Sequence, residues 1–166
     1  MSATMKVSHQ FDTSVEKLAQ LLADPDFLKA KYAAIGASDV TITSVEDRDG
    51  NPRIVSSRKV TVDLPSFAKK VMQPTNTVVQ TDDWQVVGDD GSRVCNYTVE
   101  VKGVPSRIDG TVKLSPAGEG VSQDIVAQVK VSIPLLGGRL EKFAVSSGVD
   151  QLRAEAEFTA KHLAGT

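Results

Sequence analysis

Pro134–Leu163, PLLGGRLEKFAVSSGVDQLRAEAEFTAKHL, is the stretch on which the reading of the fold turns. Lys142, Ser146, Asp150, Arg153, Glu157 and Lys161 recur every three or four positions, so on a helix they form one wet stripe. A helix of roughly 26 to 30 residues is about 40 to 45 Å long, enough to cross a small domain. Opposite the stripe, at about 100° per residue, stand Ala144, Gly148, Leu152, Glu155 and Thr159. The middle of that face is small or polar where a packed core wants Leu or Ile. Either a neighbouring backbone comes very close at Gly148, or the space is a cavity.

Working outward from this helix, Ser38 to Ile133 has a period of two and reads as antiparallel strands. Val40 and Ile42 alternate with Thr41 and Thr43, and Asp47–Pro52 turns the chain into a return strand, Arg53–Thr61. Thr77–Val87 and Arg93–Lys102 flank the hairpin signal Gly88-Asp89-Asp90-Gly91. Cys95, Tyr97, Val99 and Val101 make the inward face of the second of these. Arg107–Leu114 and Val121–Ile133 follow, with Ile125, Ala127, Val129, Val131 and Ile133 on one side. Before this meander, Lys6–Phe11 alternates as a first strand with Val7, His9 and Phe11 inward. Thr13 and Glu16 have capping-box spacing for one short helix, and Asp24-Pro25 starts a second that Gly36 stops.

The segment from Val62 to Thr75 breaks the rhythm, because Leu64, Phe67, Ala68, Val71 and Met72 are more apolar than a hairpin loop requires. Ser66–Met72 is expected to form a helical turn on the sheet, either as a fixed lid on the core or as a gate over a pocket.

Length and charge exclude several classes. The 166 residues fit one domain and can bury a core without staples. Net charge is −2 with no run of Lys or Arg, which argues against nucleic acid and anionic lipid as partners. Met1–Gln10 carries polar residues throughout and does not read as a signal peptide. No stretch approaches the roughly 18 apolar residues of a membrane span. A lone Cys95 forms no internal disulfide, so a reducing, cytoplasmic compartment is expected.

The order of elements, together with Val7–Asp12 leading into a capped helix and Ile133–Glu141 entering the last one, resembles the helix-grip fold of the START-like (SRPBCC) superfamily. More narrowly the chain looks like an uncharacterised, mainly actinobacterial branch of it. The resemblance implies an α+β fold: a curved antiparallel sheet of about seven strands wrapped around a long C-terminal helix, with two short helices after the first strand. It also implies a cavity between sheet and helix, usually for an apolar small molecule.

Catalytic chemistry is thin. A nucleophilic triad has only His9 and His162 to draw on, Cys95 sits inward on a strand, and no His, Cys or carboxylate cluster has metal-ligand spacing. Neither a cofactor nor a metal is expected. Glu155, facing the apolar side of the helix, is the best acid–base candidate, while the adjacent pair Asp82-Asp83 reads as a solvated strand edge.

The expected function is therefore binding of a small hydrophobic or amphipathic molecule or lipid. Trp84, Tyr97, Val99, Ala144, Gly148 and Leu152 would form the wall, with Phe67 in the loop above it. His9 and Glu155 would orient a polar group. A cyclase- or dehydratase-like enzyme using Glu155, His9 and Tyr97 is the second reading. The third is a co-chaperone-like interaction module, which would have the space at Gly148 filled and an apolar patch elsewhere.

Overall fold

The computed structural model describes residues 2–165. Its first strand, β1, runs Ala3–Phe11, and two short helices follow, α1 over Val15–Leu22 and α2 over Pro25–Ala34. Six further strands succeed one another: β2 (Ser38–Glu46), β3 (Arg53–Thr61), β4 (Thr75–Trp84), β5 (Arg93–Val101), β6 (Ser106–Ala117) and β7 (Gly120–Val131). The chain then enters a 28-residue helix, α3, over Gly137–Ala164. All seven strands form one curved antiparallel sheet in the order β1-β7-β6-β5-β4-β3-β2. This is the α+β helix-grip architecture. Among the described residues no helix is long and apolar enough to cross a membrane.

Each helix start has a local cause. Ser14, not Thr13, caps α1: its Oγ accepts from the Lys17 amide at 3.1 Å. The frame is one residue later than the Thr13–Glu16 spacing suggests, which puts Lys17 at the third helical position and dissolves the capping box. Asp24 caps α2 by accepting from the Asp26 amide at 3.0 Å, with Pro25 in the first turn. Gly36, just beyond α2, takes φ +99°, the left-handed stop its position demands.

The start of α3 is the main departure from the sequence reading. Strand β7 ends at Val131 rather than Ile133, and Pro134–Leu136 is a turn in which Leu135 has φ +69° and stands fully exposed. Gly137 opens the helix against the Val131 carbonyl, where a β-carbon would collide with backbone. A second tie holds the same corner. The buried Glu141 carboxylate accepts from the Val131 amide at 2.9 Å, joining helix to strand.

Other boundaries shift less. Strand β4 ends at Trp84, and Val86 and Val87, expected within it, are exposed. Strand β1 begins earlier than expected and so brings in Met5, which is buried with Tyr97, Ile125 and Ala127. At the far edge, β2 pairs with β3 through two register shifts, and Asp39 has φ +49°. The Val62–Thr75 connection contains a 3-10 turn at Ala68–Lys70. Leu64 and Ala68 are buried there with Val131 and Leu140, so this segment caps one end of the core.

Candidate functional site

The wet stripe read from the sequence is exposed at all six positions, so the opposite side of α3 faces the concave sheet. Helix α3 packs on β1 and β7 and touches α2. Between it and the inward faces of β3 to β6 lies a cavity of about 270 Å³. Strand alternation supplies the wall: Val78, Gln80, Asp82 and Trp84 from β4, Cys95, Tyr97, Val99 and Val101 from β5, and Ile108 and Val112 from β6. Ala144, Gly148, Leu152 and Glu155 close it from α3, and Val62 and Met72 from the capping segment.

Seven of the nine residues singled out in the sequence thus share one wall: Trp84, Tyr97, Val99, Ala144, Gly148, Leu152 and Glu155. His9 and Phe67 stand outside it. His9 is half-buried, its Nδ1 lies 3.2 Å from Gln123 Oε1, and it is Gln123 that reaches the cavity. Phe67 packs in the capping segment under the Arg139 guanidinium, 4.0 Å from its ring centre.

Gly148 resolves into a third case beside close backbone and empty space. A β-carbon there would meet Met5 Sδ at 2.8 Å and Cε at 3.5 Å. A thioether end, not a backbone, fills the gap in the helix. Gly110 answers Tyr97 in the same manner, since the two are cross-strand partners and the phenol ring lies over the glycine.

One end of the wall is polar, and most of that group escaped the sequence reading. Lys31 Nζ pairs with Glu155 Oε1 at 3.0 Å, with both side chains largely buried, and Gln151 Nε2 donates to Glu155 Oε2 at 3.3 Å. Arg58 Nη2 donates to Gln80 Oε1 at 3.0 Å, and Gln80 Nε2 donates to Asp82 Oδ1 at 2.9 Å. Tyr32 lies beneath both cations, 5.0 Å from Lys31 Nζ and 3.9 Å from the Arg58 guanidinium. Asp82 is therefore no solvated edge: it is 8 % exposed, while its neighbour Asp83 faces outward to Arg48. The alternation that points Trp84 inward points Asp82 inward too.

Burial governs the ionisation of these groups. It would lower the Lys31 ammonium, but Glu155 beside it overrides this and the group titrates above the ordinary lysine value. Burial pushes the Tyr32 phenol up to about 12, and raises Tyr97 and Cys95 as well, so none of the three is a ready nucleophile at neutral pH. It also raises the Asp82 carboxyl, despite the Gln80 hydrogen bond and the nearby Lys31 and Arg58 charges. A carboxyl whose folded value lies above its unfolded 3.8 withdraws stability as pH rises through that folded value. Asp82→Asn is accordingly expected to raise the melting temperature at neutral pH, with the gain vanishing below the ordinary carboxylate range. Equal melting of both proteins at neutral pH would contradict it.

Among the described residues no group of three or more His, Cys, Asp or Glu side chains is placed to hold a metal ion. Among the described residues, three that line the cavity each keep one fully buried polar atom without a hydrogen-bond partner: Arg58 Nη1, Trp84 Nε1 and Tyr97 Oη.

Comparison with known proteins agrees with this geometry at the level of fold. An uncharacterised protein of Mycobacterium tuberculosis is 24 % identical, across 96 % of this chain and 95 % of that one. A crystal structure of a Thermus thermophilus protein superposes with TM-score 0.71 at 16 % identity over 99 % of both chains. A START superfamily protein from Mycobacterium smegmatis does so with TM-score 0.61 at 12 % identity, over 96 % of this chain and 98 % of its own. At such identities the shared property is the START-like fold. The match over residues 6–163 is to a sequence family described as "Protein of unknown function (DUF2505)", and the chain belongs to that family.

Proposed function

We propose that the chain is a binding protein for a small apolar or amphipathic molecule, held between the sheet and α3. The carrying observation is the cavity itself. Protein interiors normally leave few voids larger than a water molecule, and 270 Å³ is the volume of about nine waters. A mainly apolar wall with a few polar groups at one end is the usual form of a small-molecule site.

Binding is favoured over turnover by the state of Glu155. The carboxylate that an acid–base mechanism would draw on is held by Lys31 and Gln151. Gentle native mass spectrometry of freshly purified protein is expected to reveal a co-purifying small molecule. After its removal, the neutral dye N-phenylnaphthylamine should brighten on titration. A protein that carries nothing and leaves the dye dark would sink the reading.

A further inference from the structure

We infer that the ligand carries a single carboxylate, and that Arg58 is its anchor; this rests on the cavity being a ligand site. Arg58 is 4 % exposed and lines the cavity. Among the described residues no carboxylate lies within 4.0 Å of it, although a buried charge ordinarily has an ionic partner. The other buried cation, Lys31, has its partner in Glu155. What Arg58 has instead is a neutral amide. Gln80 takes its Nη2 and stands between it and Asp82. Tyr32 supports the plane of the guanidinium from one side, and Nη1 is left without a partner.

The buried, unpartnered atoms of two other residues that line the cavity have the same polarity. Arg58 Nη1 and Trp84 Nε1 can only donate, and the Tyr97 hydroxyl is free to donate. A ligand suited to them brings acceptors. An ionised carboxylate is acceptor-only, and with a guanidinium it forms the stronger, charge-assisted hydrogen bond. A doubly charged head would meet Glu155 and Asp82 on the same wall, which favours one negative charge over two. The apolar remainder of the ligand then runs along Val99, Val101 and Ile108, away from the charged end.

The experiment displaces N-phenylnaphthylamine from the parent protein with three ten-carbon chains that differ only in the head: decanoate, decanol and decylamine. Decanoate is expected to compete at about tenfold lower concentration than decanol, the factor for one buried charge-assisted hydrogen bond. Arg58→Gln should erase that preference while the neutral dye still binds. Should that variant fail to fold, Arg58→Lys, which keeps the charge and loses the fork, is expected to retain part of it. The parent comparison needs no variant at all. Decanol or decylamine competing as well as decanoate overturns the carboxylate assignment and leaves the cavity reading intact, as does an unchanged preference in Arg58→Gln. A parent protein that binds neither dye nor any of the three chains removes both.

Discussion

Glu155→Leu is expected to cost about 3–5 kcal/mol, because it leaves the Lys31 ammonium buried and unpaired. For a chain of this length that is a fall in melting temperature of roughly 6–20 °C. Lys31→Met should cost a similar amount by stranding Glu155, and it would also withdraw a positive charge from Asp82. The double variant, Lys31→Met with Glu155→Leu, is expected to recover most of the loss, since replacing a whole buried pair by apolar side chains is often neutral. Denaturant melts of the four proteins close the cycle. Additive losses in the double variant would show that the two side chains do not interact. The raised Lys31 value sets the pH window: its contribution is whole below the ordinary 10.5 and is lost as pH rises through the folded value. At neutral pH the cycle reads the full pair. Even the near-isosteric Glu155→Gln destabilises on this account, so a loss of function in it would not by itself indicate catalysis.

Gly148→Leu is expected to leave a folded protein that has lost at least about tenfold in affinity for N-phenylnaphthylamine. The new side chain drives the Met5 thioether aside and occupies the cavity. Overpacking in a filled core costs about 1–3 kcal/mol, but here there is room to absorb the volume. Gly148→Ala is the control. It gains about 1 kcal/mol of helix propensity and gives back part of it by displacing the end of Met5, so its stability should stay within about 1 kcal/mol of the parent. Thermal melts and dye titrations decide. Strong destabilisation by alanine, or undiminished dye binding in the leucine variant, would mean that the helix and β1 leave no usable space there.

The strands and the wet stripe of α3 were legible because they rest on periodicity, and apolar side chains report their own faces; the wrapping of the sheet came from the resemblance, and the pairing of β1 with β7 joins distant segments that no local pattern links. The polar end of the cavity was written in the same code but in charged letters. Arg58 is two residues from Ser56 and four from Ile54, both buried, and Asp82 is two from Trp84; alternation alone places them inward. On α2, Lys31 falls one turn after Phe27 and beside Tyr32, inside the buried stripe. For Asp82 the ordinary expectation that charges are solvated outweighed the pattern, and Arg58 and Lys31 drew no reading at all. The partnership that makes burial tolerable could not be seen at all, since Lys31 and Glu155 lie in different helices and nothing in their spacing links them. Met5 was missed for a simpler reason. Ala3 and Met5 continue the alternation of Val7 and Phe11 among Ser2, Thr4 and Lys6, but the sequence reading starts the strand only at Lys6, and the burial of Met5 is completed by Ala127 across the sheet.

The pairing of β1 with β7 also says when the cavity forms during the life of the chain. The strand made first must wait for the strand made last, and α3, which closes the pocket from the other side, emerges later still. Met5, Tyr97 and Gly148 come together only when β1, β5 and α3 have met. Long-range closure of this kind slows folding and leaves apolar strand edges waiting in the interval. Without α3 the cavity is not closed, so the binding energy of any ligand it took would add to the last step of assembly by mass action.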